Sequence, residues 1–493
     1  MFYPDKKTFI KKAKKGNLIP VFKEILADME TPVSAYRKIA SKKYGFLLES
    51  VEGGENIARY SFLGADPAVV FSSKGAEITI LENGKKKISG TSRTPLDELR
   101  HLMSGYKPVE DSRLPRFYGG AVGYISYDSV RFFEPKIPDS NTDTLGFPDM
   151  FFMITDTIVI FDHVNHTMKV VGNAFINGNP AEAYDNAVRK INAVIAKLRK
   201  PLAPLPAESY IPVRKSRVRS NMTMENFKGI VNKAKEYIKA GDIIQVVLSQ
   251  RFCVDFRTSE FNLYRALRSV NPSPYMFYLK LGDIGIIGSS PEVHVRCEDG
   301  NVELRPIAGT RGRGSSEEED IRLQADLLKD EKEKAEHIML VDLGRNDIGR
   351  VCNPGSVKVR ELMVIEKYSH VMHIVSDIGG RLKKGFDIYD LVKATFPAGT
   401  VSGAPKIRAM QIIDELEKDK RGIYSGAIGY FSFSGNLDSA IAIRTMVVKG
   451  KRAFIQAGAG IVADSVPSKE FAETVNKAKA MVKAVELAET FKN

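Results

Sequence analysis

Residues Pro201–Pro212 read PLAPLPAESYIP, and four prolines in this stretch exclude both a helix interior and a central strand. A helix-like stretch, Pro180–Lys200, precedes the segment, and the basic run Arg214–Arg219 follows it. We therefore expect a linker over 201–222, an N-terminal domain over 1–200 and a C-terminal domain over 223–493. A length of 493 residues fits more than one core, or one unusually large one.

On the N-terminal side, short β-like runs dominate: Gly45–Ser50, Ala68–Ser72, Glu77–Glu82, Ala121–Tyr127, Met150–Asp162 and Met168–Asn173. Beyond the seam, Thr223 is placed to cap a helix whose Phe227, Ile230, Val231, Ala234 and Ile238 share one face, with Gly241 at its end. Further helices are expected at Ser316–Leu343, opened by a Ser316–Glu319 capping box, at Ala404–Glu417 and at Lys469–Glu489. Strand-like runs lie between them at Met276–Leu281, Ile284–Ser289, Ser425–Phe433, Ala440–Val448 and Arg452–Ala457. Runs of strands interrupted by single helices indicate an α+β fold, antiparallel sheets flanked by helices, rather than a regular βαβ repeat.

Composition narrows the class. With 43% hydrophobic and 27% charged residues the chain is globular, not collagen-like, disordered or disulfide-rich. Cys253, Cys297 and Cys352 are odd in number and far apart, which argues against a disulfide framework or a CxxC metal site and suits a reducing compartment. The start, MFYPDKKTFIKKAKKG, lacks the apolar core of a signal peptide, and no run approaches a membrane span, so the expected location is the cytoplasm, with no membrane partner. The net charge of +13 admits nucleic acid or anionic substrates. Six lysines within Lys6–Lys15 fit the solvated face of a short helix, and no RNA-binding or helix-turn-helix pattern accompanies them, so nucleic acid is not expected.

Two glutamate pairs, Glu333 with Glu336 and Glu470 with Glu473, are spaced to project to one side of their helices, where each could hold a hard cation. Glu473 also stands four before Lys477, which equally fits an exposed ion pair worth about 0.3–0.5 kcal/mol. Arg444, within AIAIRTMVV, needs an anion if its strand is internal and nothing if the strand is an edge. The run Gln456–Ala463 satisfies G-x-G-x-x-A, but the following helix begins too late and too little chain remains for a dinucleotide fold; close backbone approach to a carboxylate explains the glycines better. In FPAGTVSGAPKIRAM, amides and hydroxyls precede a helix and could meet an anion, although Ser402 as a plain N-cap explains them more simply. His370 and His373 of SHVMH are acid–base candidates, against the commoner role of core or surface histidine.

Taken in order, PIAGTRGRG, EHIMLVDLGRND, SHVMHIVS, FPAGTVSGAPKIRAMQIIDELE, YSGAIGY, AIAIRTMVV and QAGAGIVADS resemble the chorismate-utilising enzymes over nearly the whole chain, specifically the anthranilate synthase component I type. The resemblance implies that fold and conversion of chorismate and ammonia to anthranilate and pyruvate with Mg²⁺. A glutamine amidotransferase subunit would supply the ammonia, in a heterotetramer. By position, Glu336 and Glu473 would be Mg²⁺ ligands, with Glu333 and Glu470 supporting them. Gly309, Thr310, Tyr424, Arg444, Gly458, Ala459 and Gly460 would contact chorismate. Glu292 would be the general acid, with His373 and Thr400 beside the ring.

Relatives that add water carry Lys where this chain has Gln245, and aminodeoxychorismate synthases, the nearest alternative, often carry Lys where it has Ala308. Gly312 departs from the family's usual TRPRG, implying a more mobile loop. LLES and NPSPYM match the family's tryptophan-sensing segments, so feedback inhibition through Ser50, Pro274, Tyr275 and Met276 is implied.

Overall fold

The computed structural model describes residues 1–50, 59–202, 215–368 and 371–491. Most of the expected linker, residues 203–214, and the candidate His370 lie outside the described residues.

Two twelve-stranded sheets form the centre of the molecule. Each takes strands from both sides of the 201–222 segment. In the first sheet Tyr44–Glu49 pairs antiparallel with Tyr275–Leu281; in the second Gly120–Ile125 pairs antiparallel with Ala427–Ser432. The core between the sheets is likewise shared: Phe46, Ile158, Ile160, Phe277 and Ile286 from the first meet Val122, Tyr124, Phe151, Met153 and Tyr430 from the second. Helices cover the outer faces. Pro180–Leu198, Glu260–Val270 and Pro467–Ala488 pack on the first sheet, Pro95–Ser104 and Ile388–Thr395 on the second. The fold is α+β.

The expected single strand Met150–Asp162 is two strands, Met150–Thr155 in the second sheet and Thr157–Asp162 in the first. Phe151 and Met153 face the inter-sheet core while Phe152 and Ile154 face the helices; Ile158 and Ile160 alternate in the same way with Val159 and Phe161. With both faces buried the run is apolar throughout, so sequence alone does not show where it changes sheet.

Thr223 caps Met224–Lys239 as expected, accepting a hydrogen bond from the Asn226 amide. The expected helix Ser316–Leu343 is instead two, Glu317–Lys329 and Glu331–Gly349, because Asp330 takes an extended conformation and its carboxylate caps the second. Ser402 caps no α-helix. Gly403–Ala404 pairs with the Gln245–Asp255 strand, and the helix Lys406–Leu416 starts only after Pro405. Gly312 ends the Ile307–Gly312 strand between two anchored arginines: Arg311 pairs with Asp326 and Asp330, and Arg313 with Asp320.

Candidate active site

Two crossovers between the sheets run side by side. The chain leaves the first sheet after Ile284–Ser290 and enters the second at Val293–Glu298; it returns from Leu437–Ile441 to Thr445–Lys449. The connections are joined by the Ile441 amide donating to the Glu292 carbonyl (3.0 Å) and the Ser289 amide donating to the Arg444 carbonyl (3.1 Å). Glu292 and Arg444 are thus neighbours. Arg444 belongs to neither an internal nor an edge strand: its φ of +48° places it in the bend. Alternation describes straight strands and has no term for a bend between sheets, so neither of its two readings fitted this residue.

The Glu292 side chain is 6% exposed, and its carboxyl pKa is pushed up to about 8. Burial is the main cause; Thr400, the Ile307 amide, Lys477 and Arg444 oppose it. At neutral pH this carboxyl is mostly protonated, the form a general acid requires. The buried Thr400 hydroxyl approaches it without completing a well-formed hydrogen bond. No ion pair engages the Arg444 guanidinium among the described residues, and burial depresses its pKa. A partly buried guanidinium without a carboxylate is a ready anion site.

His373 lies on the Val371–Arg381 strand opposite Thr310, at a bulge where Gly309 takes φ +68°. Its Nδ1 is 3.0 Å from the Gly309 carbonyl and 3.1 Å from Thr310 Oγ1. A carbonyl only accepts, so Nδ1 carries the proton and Nε2 is the basic nitrogen. Burial, with a smaller contribution from Arg444, holds the pKa below the usual histidine value and keeps the ring neutral at pH 7.

Gly458, Ala459 and Gly460 lie on the Arg452–Ile461 strand opposite Ser249, Leu248 and Val247. A side chain at Gly458 would put Cβ 2.7 Å from the Tyr424 hydroxyl, and one at Gly460 would put it 2.5 Å from Gln245 Nε2. The bare backbone at these positions lets the Tyr424 hydroxyl and the Gln245 amide approach closely, where a side chain would collide with them. Gln245 Nε2 in turn donates to Glu336 (2.8 Å), tying the Glu331–Gly349 helix to this strand region. The Glu473–Lys477 pair forms at 2.7 Å, as its spacing predicts, but Lys477 also donates to the Gly458 carbonyl (3.1 Å). Its role toward the site was missed because i,i+4 spacing explains the lysine without it.

Burial, then Glu336, raises the Glu333 pKa; burial raises that of Glu470, with Glu473 adding to it and Ser465 opposing it. Glu470 is buried, Glu333 and Glu336 are partly buried and Glu473 is exposed; oxygen donors in this arrangement suit a hard divalent cation. Among the described residues no three His, Cys, Asp or Glu side chains make a ready-made cage.

A separate cavity of about 490 Å³ opens between the sheets and is lined by Ser50, Pro274, Tyr275 and Met276, with Glu49 and Arg116. All four sequence-predicted inhibitor residues come together there. The Tyr275 hydroxyl donates to Asp438 (2.9 Å) and accepts from Arg296 (2.9 Å).

The sequence profile described as chorismate binding enzyme matches residues 45–483. Anthranilate synthase component 1 of Aquifex aeolicus is 52% identical over 96% of each chain, and that of Acetivibrio thermocellus 49% over 99% of each. The crystal structure of anthranilate synthase component I from Streptococcus pneumoniae superposes with a TM-score of 0.77 at 40% identity, covering 93% of this chain and 99% of that one. With its crossovers, glycine strand and paired carboxylates, the chain belongs to the chorismate-binding enzymes, among the anthranilate synthase component 1 proteins.

Proposed function

We propose that the chain is the synthase subunit that converts chorismate and ammonia to anthranilate and pyruvate, the first step of tryptophan biosynthesis. The single observation that carries this is the buried Glu292 carboxyl on the crossover beside Arg444, whose guanidinium has no ion pair among the described residues. Chorismate is a dianion whose C4 hydroxyl leaves as ammonia adds at C2, so the reaction needs cationic anchors for two carboxylates and a proton for the leaving group.

Arg444 and the backbone of Gly458–Gly460 bind the enolpyruvyl carboxylate, with Tyr424 and Thr310 bordering the ring. Glu292 delivers its proton to the departing hydroxyl, and Thr400 orients that carboxyl. Ammonia addition gives aminodeoxyisochorismate. Loss of pyruvate from that intermediate is driven by aromatisation, with His373 Nε2 beside the ring as the proton-handling group. Glu336 and Glu473 would hold Mg²⁺, supported by Glu333 and Glu470; when bound, the ion neutralises and orients the ring carboxylate. Gln245 cannot act as a base toward water, and its amide already bonds Glu336, which favours ammonia as nucleophile.

Residues 1–200 serve as the regulatory part, 201–222 as linker and 223–493 as the catalytic part. Tryptophan occupies the 490 Å³ cavity, where Glu49 and Asp438 suit its ammonium group and Arg116 its carboxylate. A cytoplasmic glutamine amidotransferase partner completes a heterotetramer. Incubation of the purified chain with chorismate, an ammonium salt and Mg²⁺, followed by chromatography, tests the proposal. Anthranilate and pyruvate in equal amounts support it; aminodeoxychorismate, isochorismate or no turnover refutes it. Glutamine should not replace ammonium in the absence of a partner.

A further inference from the structure

Arg421 contrasts with Arg444. Arg444 is partly buried and without an ion pair among the described residues, whereas Arg421 is buried and fully engaged. Its Nε and Nη2 grip Glu417 in a two-point pair (2.9 and 2.7 Å). Nη2 also donates to the Val247 carbonyl (2.7 Å), and Nη1 donates to the Val401 carbonyl (2.7 Å) and more weakly to Ser425 Oγ (3.4 Å). These are five N–H···O contacts, the full donor capacity of a guanidinium. The side chains of Arg421 and Glu417 are 2% and 4% exposed. The guanidinium carbon lies 4.7 Å from the Tyr127 ring centre and 5.7 Å from that of Tyr424.

With no donor left over, Arg421 cannot hold a substrate anion. The groups it joins share one property: each adjoins a candidate substrate contact. Val401 follows Thr400, Val247 lies opposite Gly460, and Ser425 follows Tyr424. Glu417 extends the set, since it accepts from the Ser249 amide (2.7 Å) and hydroxyl (2.9 Å), and Ser249 lies opposite Gly458. The Ser249 hydroxyl also accepts from Gln456 Nε2 (2.8 Å), on the glycine strand itself.

We infer that the buried Arg421–Glu417 pair is a positioning device for the reaction: it fixes the Thr400 turn, the Gly458–Gly460 strand and Tyr424 relative to one another. A planar five-donor fork is needed, because four separate segments must be held at once, and a point charge cannot reach them all. Reacting groups displaced by about 1 Å can lose about 10²-fold in rate without losing affinity in proportion.

This inference rests on the proposed chorismate reaction, so the wild-type chain is assayed alongside. Arg421→Lys preserves the charge opposite Glu417 and removes the fork. At a temperature well below its melting midpoint, its kcat should fall about 10²-fold while its KM for chorismate changes less than about threefold. A merely structural role would lower the melting temperature and leave kcat of the folded enzyme unchanged, and that result overturns the inference. Equal losses in kcat and affinity overturn it as well. If Arg421→Lys does not fold, Ser249→Ala decides: a fivefold or greater loss of kcat at unchanged KM supports positioning, and wild-type kcat refutes it. Failure of wild-type turnover would instead strike the proposed reaction, so the two failures are distinguishable.

Discussion

Replacing Glu292 with glutamine keeps the shape of a 6% exposed side chain and removes its acidic proton. With a pKa near 8, the carboxyl is about nine-tenths protonated at pH 7 and about one-tenth at pH 9. Wild-type kcat should therefore fall about tenfold per pH unit above 8. The glutamine variant should lose about 10²–10⁴-fold in kcat at pH 7, the usual contribution of a positioned acid, and its residual rate should be level through pH 8. Stability provides a second readout. The folded pKa of about 8 lies above the ordinary value of 4.5, so the folded state holds this proton more tightly. The stabilisation is present in full below pH 4.5 and is lost as pH rises to 8, at an upper figure of about 5 kcal/mol from about 1.4 kcal/mol per unit. Melting temperatures between pH 5 and 9 should thus fall more for wild type than for Glu292→Gln. Retention of more than one-tenth of wild-type kcat, or a variant profile that still breaks at pH 8, would refute the acid assignment.

Arg444→Gln should raise KM for chorismate about 10–150-fold, because a charged hydrogen bond contributes about 1.5–3 kcal/mol; steady-state kinetics reads this directly. Gly458→Ala drives a methyl to 2.7 Å from the Tyr424 hydroxyl and 3.0 Å from the Leu248 carbonyl, so kcat should drop about 10²-fold even if thermal stability changes little. Chelation should abolish turnover and added Mg²⁺ restore it, while Glu336→Gln should raise the Mg²⁺ needed for half activity about 10–100-fold. Tyr275→Phe removes a hydroxyl bonded to Asp438 and Arg296, and the tryptophan concentration giving half inhibition should rise about tenfold in the same assay.

Local signals placed the elements, and tertiary ones placed the chemistry. Thr223 and the stripe through Phe227, Val231 and Ala234 define their helix because capping and 3.6-residue periodicity are properties of neighbouring residues. Met150–Asp162 concealed its break at Asp156 because strands buried on both faces carry no alternation to interrupt. Arg444 was ambiguous for a related reason, since periodicity cannot express a bend between sheets. Glu292 owes its raised pKa to desolvation by distant segments, so no spacing pattern could announce it, and its role came from resemblance alone. Lys477 had a sufficient local explanation in Glu473, and only the Gly458 carbonyl revealed its second contact.

The central claim is that carboxylates from two helices share one divalent ion over the substrate. Diffraction from crystals grown with Mn²⁺ in place of Mg²⁺, together with anthranilate and pyruvate, tests it through the metal's anomalous signal. The account predicts a single peak about 2.0–2.2 Å from carboxylate oxygens of both Glu336 and Glu473, on the side facing Gly458–Gly460. A peak elsewhere, or two helices whose glutamates contact only solvent while both products are bound, would contradict it.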